Sequence, residues 1–129
     1  MKKPSRKTLI KKLDTIFSKY IRLRKAKNEY SQCVTCGKVD HWTKLQAGHF
    51  ISRKNYATRW DATNVQVQCS GCNVFKYGEQ YKFSLWLDKN IGTGTSEKLL
   101  LKSQNIVKYT DDQLQQKIGY YKFLVDKLL

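Results

Sequence analysis

The chain has 129 residues, with 25 Lys+Arg against 10 Asp+Glu, a formal net charge of +15. Hydrophobic residues at 40% and aromatic residues at 12% exclude a disordered basic tail and suffice for one domain with one modest core. No apolar run of about 18 residues suits a membrane span, and no apolar stretch comes after Met1-Lys2-Lys3 to make a signal peptide.

The charge is uneven. Residues 1–30 hold 11 basic and 2 acidic residues, residues 31–90 hold 8 and 4, and residues 91–129 hold 6 and 4. A compact chain this basic repels itself, so a polyanion is the expected partner. Nucleic acid comes first and an anionic membrane surface second. The same limits divide the single domain 1–129 into a basic arm and helix (1–30), a cysteine-bearing centre (31–90) and a C-terminal helical segment (91–129).

Met1 to Lys7 reads as a mobile basic arm, with Ser5 or Thr8 as the cap of the first helix. Leu9, Leu13, Ile16, Phe17, Tyr20, Ile21 and Arg24 recur at steps of three and four and predict an amphipathic helix that fades near Asn28. Gln32–Thr35 and Lys44–Ile51 read as short strands around a turn at Gly37. Residues 52–63 read as loop, and the strict alternation of Asn64–Gln68 predicts a strand with one buried face. A short helix is expected to begin over Cys72–Lys76 and to be interrupted at Gly78. It resumes over Gln80–Asp88, with Tyr81, Leu85, Phe83 and Trp86 as candidates to face inward. Ser96 is expected to cap a short helix ending near Lys102. Thr110 and Gln113 make a capping box before a stripe of Leu114, Ile118, Tyr121, Val125 and Leu128. The fold class is therefore α+β: a small metal-stabilised centre flanked by N- and C-terminal helices.

The four cysteines form two Cys-x-x-Cys pairs, Cys33–Cys36 and Cys69–Cys72. A two-residue gap lets both thiolates of a pair point at one ion, and two such pairs predict a structural zinc site with four thiolate ligands. Disulfides require an oxidising compartment, and a redox pair has no use for a second copy. Zinc ribbons often carry 15–20 residues between their pairs, whereas 32 residues separate Cys36 from Cys69 here. The extra length carries His49 and Asn64, and Asn73 stands directly after the second pair.

This order, knuckle, strand with His49, loop, Asn64 and strand, knuckle with Asn73, helix, resembles the HNH (His-Me finger) nuclease motif. The resemblance implies a zinc-clamped, treble-clef-like ββα-metal centre. It implies His49 as the general base, Asn64 as the residue that holds the His-bearing loop, and Asn73 as an oxygen ligand of a catalytic Mg²⁺ or Mn²⁺. Those residue types suit phosphodiester hydrolysis. An imidazole is a competent base near neutral pH, and a hard cation stabilises charge on phosphate. One departure stands out. Most HNH motifs place a metal-binding Asp before the His, and here that position is Gly48; Asp61 in the loop is an alternative ligand.

The stretches Cys-Val-Thr-Cys-Gly (33–37), Ala-Gly-His-Phe-Ile-Ser-Arg (47–53), Arg-Trp-Asp-Ala-Thr-Asn (59–64) and Gln-Cys-Ser-Gly-Cys-Asn (68–73) together resemble the NinG (Rap) recombination proteins of bacteriophages. That family carries Gly-His rather than Asp-His. Phe17–Arg24, Gly78, Tyr81 and the C-terminal helix extend the resemblance over roughly residues 9–125. The resemblance implies a structure-selective DNA endonuclease acting on branched intermediates such as Holliday junctions and D-loops, phage- or prophage-encoded and cytoplasmic in the bacterial host. Arg53, Lys54, Arg59 and Lys76 flank the motif as candidate phosphate contacts. Arg22 and Arg24 on the basic helix are candidates to grip the DNA backbone. Trp42, Trp60 and Trp86 are candidates for stacking on unpaired bases, with core packing expected for at least two of them. His41 is expected to be ordinary. A homodimer through Leu114–Leu128 would let a junction enzyme cut two strands. The alternative is a non-catalytic zinc module that binds DNA or RNA, which Gly48 favours. A membrane-surface protein leaves the cysteine pairs unexplained.

Overall fold

A computed structural model describes residues 3–129; Met1 and Lys2 of the expected arm lie outside the described residues. Helix α1 spans Arg6–Leu23 and starts at Ser5, whose hydroxyl accepts a hydrogen bond from the Thr8 N–H. Its apolar stripe is Leu9, Leu13, Phe17 and Ile21, all buried. The helix ends before Asn28 and Glu29, which take left-handed backbone angles (φ 51° and 71°).

The centre is two antiparallel hairpins. Strands β1 (Tyr30–Gln32) and β2 (Val39–His41) pair around the first cysteine knuckle, with Gly37 at φ 83° in the turn. Strand β2 left no trace in the sequence pattern, because Val39 is exposed, Asp40 and His41 are half-buried, and burial does not alternate. A single turn of 3-10 helix at Trp42–Lys44 then shortens the expected strand to β3 (Gln46–His49). The expected loop contains one helical turn, α2 (Tyr56–Arg59), before β4 (Val65–Gln68). In the β3–β4 pair, Gln46 stands opposite Gln68 and His49 opposite Val65. All four β4 residues are buried, rather than one face of the strand. The Val34 N–H donates to the Val67 carbonyl at 3.0 Å and docks the first hairpin on the second.

The helix expected after the second knuckle is a single wide turn, Gly71–Phe75. Tyr77, Gly78 and Glu79 then take left-handed angles of 53°, 87° and 50°, which stop the helix outright. Helix α3 (Gln80–Asn90) turns Phe83 and Leu87 inward, while Tyr81 and Leu85 are exposed, contrary to expectation. Helix α4 (Thr95–Ser103) starts at Gly94; Ser96 is held instead by the Asp88 carboxylate, through its N–H at 2.9 Å and its hydroxyl at 3.0 Å. Helix α5 (Asp111–Leu128) begins with the complete Thr110–Gln113 capping box.

Three apolar clusters result. The largest joins α1 to Leu114 and Tyr121 of α5, with Trp60 and Val65 between hairpin and helices. The second surrounds the cysteines with Leu45 and Val67. The third packs Phe83, Leu87 and Leu99 against Phe50 and Ile51, just past His49. Leu114 and Tyr121 of the α5 stripe thus pack against α1 within the chain, while Leu128 stays exposed. Among the described residues no helix is long and apolar enough to cross a membrane.

Candidate functional site

The β1–β2 turn brings Cys33 and Cys36 to the end of β4, beside Cys69 and Cys72. All four are free, and their sulfurs lie within 4.8 Å of one another. Tetrahedral Zn–S bonds near 2.3 Å place ligand sulfurs about 3.8 Å apart. Cys36 and Cys69 sulfurs stand at 3.6 Å. The cluster can hold a zinc ion, and doing so would join both hairpins to the wide turn that carries Asn73.

Beside this cluster runs an open groove of about 610 Å³, walled by α1, β3 and the Asn73–Gln80 segment. His49 and Asn73 both line it, together with Arg22, Arg53 and Asp14. His49 and Asn73 are 24 residues apart in sequence. Pairing of β3 with β4 is what brings them to one groove.

His49 is half-buried, and its Nε2 lies 2.9 Å from the Arg59 carbonyl. A carbonyl only accepts, so Nε2 carries the hydrogen and Nδ1 keeps a lone pair. Burial pushes the imidazole below its ordinary value, with the charges of Arg53 and Arg59 adding to the effect. The bond to the Arg59 carbonyl and the Asp14 charge oppose it. The net result is a neutral ring at neutral pH.

The supporting residues are fixed from behind. Asn64 is fully buried. Its Oδ1 accepts from the Ile51 N–H at 2.8 Å, and its Nδ2 donates to the Ile51 and Thr58 carbonyls at 3.1 and 3.0 Å. It does not line the groove; it staples the loop after His49 to β4. Arg59 does not face the groove either. Its Nε and Nη2 grip the Asp14 carboxylate at 3.1 and 2.6 Å, and its Nη1 donates to the Arg53 carbonyl at 3.2 Å. Trp60 Nε1 donates to the same carboxylate at 3.0 Å. Sequence reasoning missed Asp14; its signal was its place as the one acid of α1, isolated in a basic helix.

Asn73 Nδ2 donates to Gln46 Oε1 at 2.8 Å, which leaves its Oδ1 as a hard oxygen without a protein partner among the described residues. Such an oxygen fits a cation that keeps several of its waters. Gly48 explains why no carboxylate joins it. A Cβ built on Gly48 would lie 2.6 Å from Gln68 Cδ and 2.9 Å from Cγ, and closer still to Oε1. The Gln68 carboxamide cannot swing away freely, since its Nε2 donates to Thr35 Oγ1 at 3.1 Å and the Gly78 carbonyl at 3.0 Å. Asp61 does not reach the groove. One oxygen accepts from the Thr63 N–H, and the other pairs with Lys102 at 2.5 Å.

The remaining basic candidates divide. Arg22 and Arg53 line the groove, whereas Lys54 and Lys76 are exposed outside its lining. Arg22 also lies over the Trp42 ring at 5.1 Å. Arg24 is turned inward, donating at 2.9 Å to both the Val65 carbonyl and Gln66 Oε1. Trp60 is buried, while Trp42 and Trp86 lie beneath Lys19 and Lys25 respectively.

These features define a small α+β protein in which a four-cysteine cluster able to bind zinc buttresses a basic, histidine-bearing groove. The chain belongs to the bacteriophage lambda NinG protein family, whose model matches residues 1–128. Searches of curated proteins and of solved structures returned no match.

Three outcomes are expected. Purified protein contains one zinc per chain by elemental analysis, and a strong chelator removes its near-UV circular dichroism and cooperative melting; an unchanged melt without metal would contradict the clasp. Gly48→Ala lowers stability in denaturant titration by about 2 kcal/mol, through displacement of the Gln68 carboxamide, and less so in a Gln68→Ala background. The His49 ring in the zinc-loaded protein titrates by NMR below about 6.5, the ordinary value. Because the unfolded chain then takes up the proton first, His49 contributes stability above that pH and the contribution is lost as pH falls through it toward the folded value.

Proposed function

We propose that the chain is a metal-dependent DNA endonuclease of the HNH type, acting on branched recombination intermediates such as Holliday junctions and D-loops. The observation that supports it best is the convergence of His49, Asn73, Arg22 and Arg53 on one groove. The tautomer imposed on His49 leaves Nδ1 as the base. In this reading Nδ1 takes a proton from a water as that water's oxygen bonds to phosphorus, and the bond from phosphorus to one sugar oxygen breaks. Arg53 and Arg22 hold the phosphate by charge. Asn64 and Arg59 keep the ring aimed without touching substrate. Asn73 Oδ1 would hold Mg²⁺ or Mn²⁺, which when bound stabilises negative charge on the phosphate and leaving oxygens. Structural zinc in the cysteine cluster would keep the groove's walls in place.

The net charge of +15 suits a DNA partner bound through its backbone, with affinity that falls steeply as salt rises. Such contacts carry no base preference, which suits an enzyme that reads shape. A non-catalytic zinc module that binds DNA or RNA is the second reading, favoured by the absence of a carboxylate at position 48.

The test is a cleavage panel of linear, flapped, D-loop and four-way DNA with Mg²⁺ or Mn²⁺, beside His49→Ala. The expected result is cutting of the branched substrates by the wild type. His49→Ala should lose about 10²–10⁴-fold in rate while retaining zinc, fold and DNA binding. Full activity in that variant would overturn the assignment of the base. Binding without cleavage under every metal would favour the second reading.

A further inference from the structure

The segment that leaves Asn73 and enters α3 exposes an unusual set of side chains. Phe75 is 76% exposed, Tyr77 88% and Tyr81 69%, although α1, α3 and α5 bury other aromatic rings close by. Tyr77 also lines the groove that holds His49 and Arg53. Its backbone sits at φ 53°, a left-handed conformation that bulky residues rarely adopt. The chain thus holds a tyrosine in strained backbone with its ring in water, where it adds nothing to the core. None of these three rings takes part in an aromatic pair or lies beneath a cation among the described residues, unlike Trp42, Trp60 and Trp86.

From this placement we infer that Phe75, Tyr77 and Tyr81 form a stacking platform for unpaired bases of the strand whose phosphates enter the groove. The inference rests on the nuclease reading only in taking DNA as the partner. Within a duplex the base faces are stacked on one another and only their edges are open. An aromatic ring finds a free base face where pairing is interrupted, at a fork, gap or junction. Charge complementarity favours this occupant. Lys76 lies between Phe75 and Tyr77 and Lys82 follows Tyr81, against one acid, Glu79, which stands 4.0 Å from Lys76, and Arg22 and Arg53 line the adjoining groove. A second copy of a chain with net charge +15 would bring like charge against that surface.

The experiment uses the full zinc-loaded chain with no added Mg²⁺ or Mn²⁺. Fluorescence anisotropy compares a forked DNA with a paired duplex of equal length, and 2-aminopurine in the unpaired arm reports stacking. The wild type is expected to bind the fork more tightly and to quench the probe. Phe75→Ala with Tyr77→Ala is expected to weaken fork binding about tenfold, to abolish quenching and to leave duplex binding little changed. Tyr77→Phe in the otherwise natural chain retains the quench. Equal losses on fork and duplex, or an unchanged quench, would overturn the inference. So would concentration-dependent dimerisation in ultracentrifugation that the alanine variant abolishes, since the rings would then serve a second copy. Failure to bind either DNA would overturn it as well. If the protein binds forks through these rings but cuts nothing, the platform stands and the nuclease reading falls. If the double-alanine variant binds and cuts forks like the wild type, the reverse holds.

Discussion

The carboxylate of Asp14 holds the groove together. It accepts three hydrogen bonds, two from the Arg59 guanidinium and one from the Trp60 indole. Arg59 in turn presents its carbonyl to His49 and donates to the carbonyl of Arg53. One acid on α1 therefore sets the backbone that orients the imidazole. The pair is shielded, with 15% of the Arg59 side chain and 25% of the Asp14 side chain exposed. Removing one member leaves the other charge partly shielded from water and without its partner. The long N-terminal helix is thus both a basic surface and a structural wall of the site.

The cysteine cluster works from the other side. It joins the β1–β2 turn to the end of β4, and Gln68 extends that connection by reaching Thr35 in the first knuckle and Gly78 beyond the second. The same carboxamide occupies the space that any side chain at position 48 would need. Its Oε1 is buried without a hydrogen-bond partner, a cost the fold accepts beside Gly48. Gly48 is therefore a packing requirement of this chain. The lack of an acid before His49 is a consequence of what stands beside it.

Burial and exposure divide the basic residues in the same way. Arg24 and Arg59 serve the interior, where their forks satisfy carbonyl and carboxylate oxygens. Arg22 and Arg53 reach the groove, and Lys54 and Lys76 stay in solvent. Spacing along the chain cannot make this distinction, since Arg22 and Arg24 lie two residues apart at the end of α1 and face different surroundings.

Local pattern determined much by itself. The apolar stripe of α1, the Thr110 capping box, the cysteine pairs and the order of His49, Asn64 and Asn73 were all legible, because each depends on short-range spacing or on side-chain chemistry. The stripe of α3 was legible only in part: of its inward candidates Phe83 is buried and Tyr81 and Leu85 are exposed, while Leu87, buried one turn after Phe83, was missed. Tertiary structure alone decided that Asp14 grips Arg59, that Gln68 fills the place beside Gly48, and that Tyr77 stands exposed at the groove. These are contacts between segments distant in sequence or the product of backbone angles. Residue identity sets which chemistry is available, but only the pairing of β3 with β4 and the packing of α1 across them decide which groups meet.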